Sequence, residues 1–207
     1  MGNMGRRQFF QNAAVAAAGL GLSGLPFGSI VARASTGQSI PTRLLTKAGA
    51  ALAIHGDRIA NRRLMAIADF STPSATPRFH LYDLITGDTT TLLVSHGKGS
   101  DPSHSGWVQQ FSNVPGSEAT SEGAYLVGDT YYGKYGESRR LIGLEPQNDQ
   151  AESRAIVIHP AWYVSQSIAE QQGKVGRSQG CFAFSFDDIG QVLARVAPGS
   201  LLYAGKV

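Results

Sequence analysis

Apolar residues recur at helical spacing at the start of the patterned part of the chain. Leu44, Leu45, Ala48 and Leu52 share one face, and Gly56 follows as a stop, so the pattern predicts a helix over 42–55. From residue 64 the period changes. Leu64–Phe70, Arg78–Leu84 and Thr89–Ser95 read as strands, and Thr86-Gly87-Asp88 is a hairpin signal between the last two. Gly97–Gly123 is rich in Gly, Ser and Pro and reads as loop. Gly123–Asp129 resumes the strand pattern, and a second loop holds Tyr131, Tyr132 and Tyr135. Arg154–His159 is an apolar strand ending in histidine, and Ser165–Gln172 reads as a short helix. Ser185 and Asp188 have capping-box spacing ahead of Ile189, Val192, Leu193 and Val196 at i, i+3, i+4 and i+7. Pro198-Gly199 ends that helix, and Ser200–Ala204 is a closing strand. Many strands and few helices predict a mainly β domain.

The N-terminal segment follows a different pattern. Arg6-Arg7 precede Phe9, an Ala/Gly/Leu-rich stretch runs from Ala13 to Leu25, and Ala32-Arg33-Ala34 offers small residues at a cleavage site. These features describe a secretory signal over 1–34, and the arginine pair resembles a twin-arginine signal. Gly5 and Gln11 depart from that pattern, and an ordinary secretory signal or an uncleaved anchor is the alternative. The apolar run is short for a spanning helix, which needs about 20 apolar residues, so no stable membrane insertion is expected after cleavage. The expectation is a periplasmic or envelope protein with a single domain over 35–207.

This division changes the charge picture. The whole chain carries 18 Lys and Arg against 15 Asp and Glu. Arg6, Arg7 and Arg33 all fall in the first 34 residues, so the remainder is balanced and gives no signature of nucleic-acid binding.

Candidate chemistry centres on the one cysteine, Cys181, in Gly176-Arg177-Ser178-Gln179-Gly180-Cys181-Phe182. With no intrachain disulfide partner, it is either a buried hydrophobe or a reactive thiol. A nucleophilic thiol needs a base or a field that favours the thiolate. Among five histidines, His159 at a strand end is the best placed to serve. Gly180 permits close backbone approach, and the Gly180 and Cys181 amides are candidate donors to an oxyanion. The bland reading is a packed cysteine and a histidine satisfied by a carbonyl.

His159 followed by Ser178-Gln179-Gly180-Cys181 resembles the catalytic pattern of the L,D-transpeptidase (YkuD-like) family, specifically its murein subgroup. Supporting runs are Ser95–Ser100, Phe111-Ser112-Asn113, Tyr131–Lys134, Leu141–Glu145, Arg154–His159 and Gly176-Arg177-Ser178, so the likeness spans roughly 42–205. It implies a β-sandwich or barrel-like catalytic domain with a few short helices. It implies acyl transfer on peptidoglycan stem peptides, with Cys181 as nucleophile, His159 as base, Ser178 lining the cysteine loop and no cofactor. The base's partner in this family is commonly a backbone carbonyl. Two positions depart from the broad family. Pro160 stands where glycine follows the histidine, and Ala183 stands where an arginine follows the cysteine by two. Arg177 is the candidate replacement cation, and His96 and Tyr132 are candidate substrate contacts.

Three rivals remain at this stage: an L,D-carboxypeptidase that passes the acyl group to water, a noncatalytic peptidoglycan-binding protein, and a zinc peptidase built on His96, Asp101 and His104. The last lacks helical ligand spacing, and no metal is expected. Tyr125, Tyr131 and Tyr132 read either as groove walls or as partial core. Arg139-Arg140 reads as a solvated loop pair, and Asp187 and Asp188 as favourable charges at a helix start. Oligomeric state is not legible.

Overall fold

The computed structural model describes residues 39–207, so the expected export signal lies outside the described residues. An eight-stranded sheet dominates, in the order β3-β2-β1-β8-β4-β5-β6-β7. Its strands are β1 (Leu64–Asp69), β2 (Phe79–Asp83), β3 (Thr89–Leu92), β4 (Gly123–Gly133), β5 (Gly136–Gly143), β6 (Val157–Pro160), β7 (Phe182–Phe184) and β8 (Leu201–Gly205). The helices are α1 (Thr42–Ile54), α2 (Gln166–Gln172) and α3 (Ile189–Arg195). Pairing is antiparallel except for β1 with β8 and β6 with β7. This is the expected mainly β architecture with a few short helices.

Strand alternation explains how the sheet buries two faces. In β1 all six residues are buried. Leu64, Ala66 and Ala68 enter the main core, while Met65 and Ile67 join Leu44, Ala48 and Ala51 of α1 on the other face. Every strand contributes to the main core, and α3 adds Val192 and Leu193. The sheet therefore curls around its own contents. Phe79 near one edge meets Phe184 at the other, with ring centroids 4.7 Å apart. The Ser95 amide, just past β3, donates to the Ala183 carbonyl of β7 at 2.9 Å. This approach of the two sheet edges places the loop after β3 beside the cysteine loop.

Most predicted elements lie within a residue or two of their expected ends. Others required correction. β4 extends to Gly133 through Tyr131 and Tyr132, which the sequence pattern assigned to loop. β5 continues from a turn at Lys134-Tyr135 and contains Arg139-Arg140. Arg139 is buried, and its Nη1 donates to the Val196 carbonyl at 2.6 Å, so it anchors the end of α3 rather than facing solvent. The strand expected from Arg154 begins at Val157, because Ala155 turns the chain with φ of 53°. Ser165 caps α2 by accepting from the Ile168 amide, and Gly173 closes it in the left-handed conformation. No helix among the described residues is long and apolar enough to cross a membrane.

Candidate active site

Two neighbouring parallel strands bring the sequence-selected pair together. Ile158 registers with Phe182 and His159 with Ala183. Cys181 thus falls one step before the first registered pair, beside Val157. Ile158 and Phe182 point into the main core. Alternation turns Val157, His159, Cys181 and Ala183 to the opposite face, where His159 and Cys181 are diagonal neighbours.

The His159 ring is buried and oriented. Its Nδ1–H donates to the Pro160 carbonyl at 2.8 Å, which fixes the tautomer and leaves Nε2 as the acceptor. Proline at 160 keeps the carbonyl this contact requires. Among the described residues, no hydrogen bond engages Nε2. Tyr135 stacks on the imidazole, with centroids 4.4 Å apart and planes 23° apart. Burial lowers the imidazole pKa, the Pro160 carbonyl opposes this, and Lys134 lowers it further.

Cys181 is partly exposed, and its Sγ lies 3.5 Å from the Ala155 carbonyl. Burial raises the thiol pKa, opposed by the Val157 amide and by the charges of Arg154 and Lys134. The resting pair is accordingly a neutral thiol and a neutral imidazole. A histidine acting as general base suits that state better than a preformed ion pair.

Backbone and side-chain bonds hold the cysteine loop. The Ser178 hydroxyl donates to the Cys181 carbonyl at 2.7 Å and accepts from the Gly180 amide at 3.1 Å. Gly180 therefore does not offer a free amide, whereas the Cys181 amide makes no hydrogen bond within the described residues. Gly180 itself has φ of 115°, and a Cβ there would meet the Ala119 carbonyl at 2.8 Å and Ile156 Cδ1 at 2.7 Å. Protein packing, rather than a substrate, demands this glycine. The Gly180 carbonyl accepts from Thr120 Oγ1, which in turn accepts from the Gly97 amide.

His96 belongs beneath this loop. It is fully buried, which corrects its assignment as a substrate contact. Its carbonyl accepts from the Ser178 amide at 2.9 Å. Its Nδ1 lies 2.6 Å from Arg78 Nη2 and accepts from that guanidinium, while Nε2 approaches Asp101 Oδ2 at 3.4 Å, an electrostatic contact longer than a good hydrogen bond. Burial, then Arg78, lowers the His96 pKa to about 3. Burial pushes the Asp101 carboxyl upward, but the Ser105 and Gly106 amides, the Ser105 hydroxyl and His96 outweigh it and hold the pKa below its usual value.

The remaining candidates take other partners or face solvent. Arg177 donates to the carbonyls of Asp101 and Pro102, and the cations acting on Cys181 are instead Arg154 and Lys134. Sequence reasoning missed both, together with Tyr135. Arg154 spends its donors on the Ser112 carbonyl, Ser117 Oγ and the Ala119 carbonyl. Tyr132 is highly exposed on the outer half of β4, one residue from the pair Gly133 and Gly136 that closes the hairpin. Tyr125 is core, and burial raises its pKa. His104 is turned toward the Val175 carbonyl at 3.1 Å. No group of three metal-ligating side chains converges among the described residues.

The sequence profile of the L,D-transpeptidase catalytic domain matches residues 37–204. No curated protein matches the chain. Solved structures with similar folds include the helical cell shape determining protein Pgp2 (K307A mutant) from Campylobacter jejuni, at 12% identity and TM-score 0.47, covering 81% of this chain and 57% of that one. An L,D-transpeptidase from Mycobacterium smegmatis aligns at 14% identity and TM-score 0.43, over 69% and 58% of the two chains. One from Mycobacterium tuberculosis H37Rv gives 14%, 0.43, 69% and 57%. The chain thus spans less than two thirds of the length of these proteins, and at such scores the assignment stands on the profile match. By that match, which covers most of its length, the chain belongs to the L,D-transpeptidase catalytic-domain family.

Proposed function

We propose that the protein is a cysteine L,D-transpeptidase that acts on peptidoglycan stem peptides through an acyl-enzyme. The observation that carries this reading is the juxtaposition of Cys181 and His159 on one face of the β6–β7 pair, with the imidazole oriented by the Pro160 carbonyl.

His159 Nε2 takes the thiol proton as Sγ attacks the carbonyl that joins the third, diamino acid residue of a tetrapeptide stem to D-alanine. A C–S bond forms, and the negative charge gathers on the carbonyl oxygen, where the free Cys181 amide donates to it. The C–N bond then breaks. The imidazolium returns its proton to the departing amine, which leaves as D-alanine. In the second half, His159 takes a proton from the amine of a second stem as that amine attacks the thioester. Sulfur leaves and is reprotonated. Burial of both groups favours this route over a preformed thiolate–imidazolium pair, because it keeps the thiol protonated and the imidazole neutral at the start.

The reaction belongs in the cell envelope, reached through the signal at residues 1–34. Replacing Arg6 and Arg7 together by lysine preserves charge but removes the arginine pair, so precursor retained in the cytoplasm is the outcome expected of a twin-arginine signal. Unchanged delivery would remove that assignment.

The catalytic test is intact-protein mass after incubation with a purified tetrapeptide stem. Wild type should gain the tripeptide acyl group on Cys181 and release D-alanine, and Cys181→Ala should remain folded by circular dichroism and gain nothing. An alanine variant that still forms product would overturn the nucleophile assignment. Adding an amine acceptor and weighing the products distinguishes transpeptidation from hydrolysis.

A further inference from the structure

The substrate class proposed above sets a recognition problem. The scissile bond lies one residue from the end of the stem, so a free carboxylate accompanies the reacting carbonyl. A site that selects this donor needs a cation near Cys181 whose hydrogen-bonding capacity is not already used.

The cations whose charge acts on Cys181 are Arg154 and Lys134, and they differ in what they are free to bind. Arg154 is committed to two carbonyls and a hydroxyl. Arg177 is committed to two carbonyls on the loop beneath. Lys98 is paired with Glu118 at 2.8 Å. Arg78 is buried, beneath the loop. Position 183 is a buried alanine packed with Leu93, Ala161 and Val175 and supplies no charge. Lys134 differs from all of these. It occupies the exposed two-residue turn between β4 and β5, and among the described residues it enters neither an ion pair nor a hydrogen bond. Its ammonium sits 4.7 Å from the centroid of the Tyr135 ring, the same ring that stacks on His159. Its charge acts on both His159 and Cys181.

Resting on the transpeptidase reading, we infer that Lys134 binds the terminal carboxylate of the acyl donor and so selects stems that end one residue beyond the scissile carbonyl. The chemistry fits a lysine well. An ammonium on a flexible stem supplies a point charge without demanding fork geometry. Its position over an aromatic face costs little to leave, since exposed cation–π contacts are weak. The carboxylate thereby gains a charge-assisted bond that an internal peptide linkage or a carboxamide lacks.

The test compares two synthetic tetrapeptide donors, one with a free C-terminal carboxylate and one with a carboxamide. Wild type should be acylated by the acid with kcat/KM at least tenfold above that for the amide. Lys134→Gln should bring that ratio close to one, chiefly by raising KM for the acid, and Lys134→Arg should keep most of it. A Lys134→Gln enzyme that retains the wild-type preference would overturn the inference while leaving the transpeptidase reading intact. Binding to Cys181→Ala gives a second readout that requires no acylation. There the acid donor should bind at least tenfold more weakly when Lys134→Gln is added, and the amide equally with or without it. Failure of acylation with intact acid-selective binding would therefore count against the transpeptidase reading alone.

Discussion

The loop that carries Cys181 is fastened from beneath, whereas the turn that reaches His159 is held at its tip by ring stacking. On the first side, Ser178 exchanges backbone bonds with His96 and Lys98, Gly180 is packed against Ala119, and a buried Arg78–His96–Asp101 cluster supports the whole. On the second, Lys134 and Tyr135 stand exposed at the end of a two-stranded hairpin, and Tyr135 lies flat on the imidazole. The nucleophile must be held in place as the reacting bonds form, which suits a loop with its polar groups satisfied internally. Recognition of a flexible peptide end asks for reach and an unspent charge, which suits a turn.

If this contrast is real, glycine substitutions on the two sides will differ sharply. A Cβ at Gly97 would lie 2.3 Å from the Glu118 carbonyl oxygen and 2.7 Å from both Cα and N of Gly180. These are backbone atoms, so the cysteine loop must shift as a unit. Gly97→Ala should cost about 3 kcal/mol and impair acylation. Gly136 on the hairpin has φ of 93°, but its nearest obstacle is Pro160 Cγ at 4.0 Å. Gly136→Ala should cost only the backbone strain of about 1–2 kcal/mol. Urea unfolding of both variants measures the difference, and equal losses would erase the distinction.

A smaller effect is written in the buried histidine. The folded-state pKa of His96 is lowered to about 3 from an ordinary value of 6.5. As pH falls below 6.5 the unfolded chain takes up a proton that the folded chain refuses, so stability is full above that pH and is lost progressively toward 3. Between pH 7 and 5 one such group accounts for about 2 kcal/mol. His80 and His159, also lowered by burial, act in the same direction. His96→Gln should flatten the decline by about that 2 kcal/mol, whatever it does to stability at neutral pH. A slope unchanged by the substitution would mean that His96 is protonated in the folded protein.

How far these two sides were legible differs for physical reasons. The sequence order of His159 and Cys181, the turn-forming Gly180 and the apolar flanks are local signals, and they suffice to nominate the pair. Their parallel register is not local, because it depends on β6 and β7 meeting with no sequence cue to strand order. Arg139 misleads because its hydrocarbon stem is buried while its head finds the Val196 carbonyl, 57 positions away in sequence. β5 was obscured for the same reason, since Glu137-Ser138-Arg139-Arg140 shows no apolar alternation. The outer half of β4 is exposed through Tyr132 and Gly133, so backbone pairing rather than burial makes it a strand. The sequence Gly133-Lys134-Tyr135-Gly136 is recognisable as a turn. Only the fold reveals which side chain it delivers to the imidazole.

The least disruptive test of the comparison is on Tyr135. This ring is 43% exposed, so replacing it by alanine should change stability by less than about 1 kcal/mol. Its effect on the base should be plainer. The His159 pKa is lowered chiefly by burial, and Tyr135 is the ring stacked directly on the imidazole. Uncovering the imidazole stabilises its protonated form, so the pKa rises toward the ordinary histidine value. The acid limb of kcat/KM, which lies below that value in wild type, should move upward in Tyr135→Ala. Tyr135→Phe keeps the stacked face and removes only the hydroxyl, so its limb should stay where wild type places it. The alkaline behaviour supplies the control: alkylation of Cys181 by iodoacetamide should follow a thiol pKa above the ordinary value in all three proteins, because burial of the sulfur raises it and the opposing charges of Arg154 and Lys134 remain. An acid limb that does not move in Tyr135→Ala would show that the strand environment alone sets the base. The hairpin would then contribute recognition through Lys134 without tuning the chemistry.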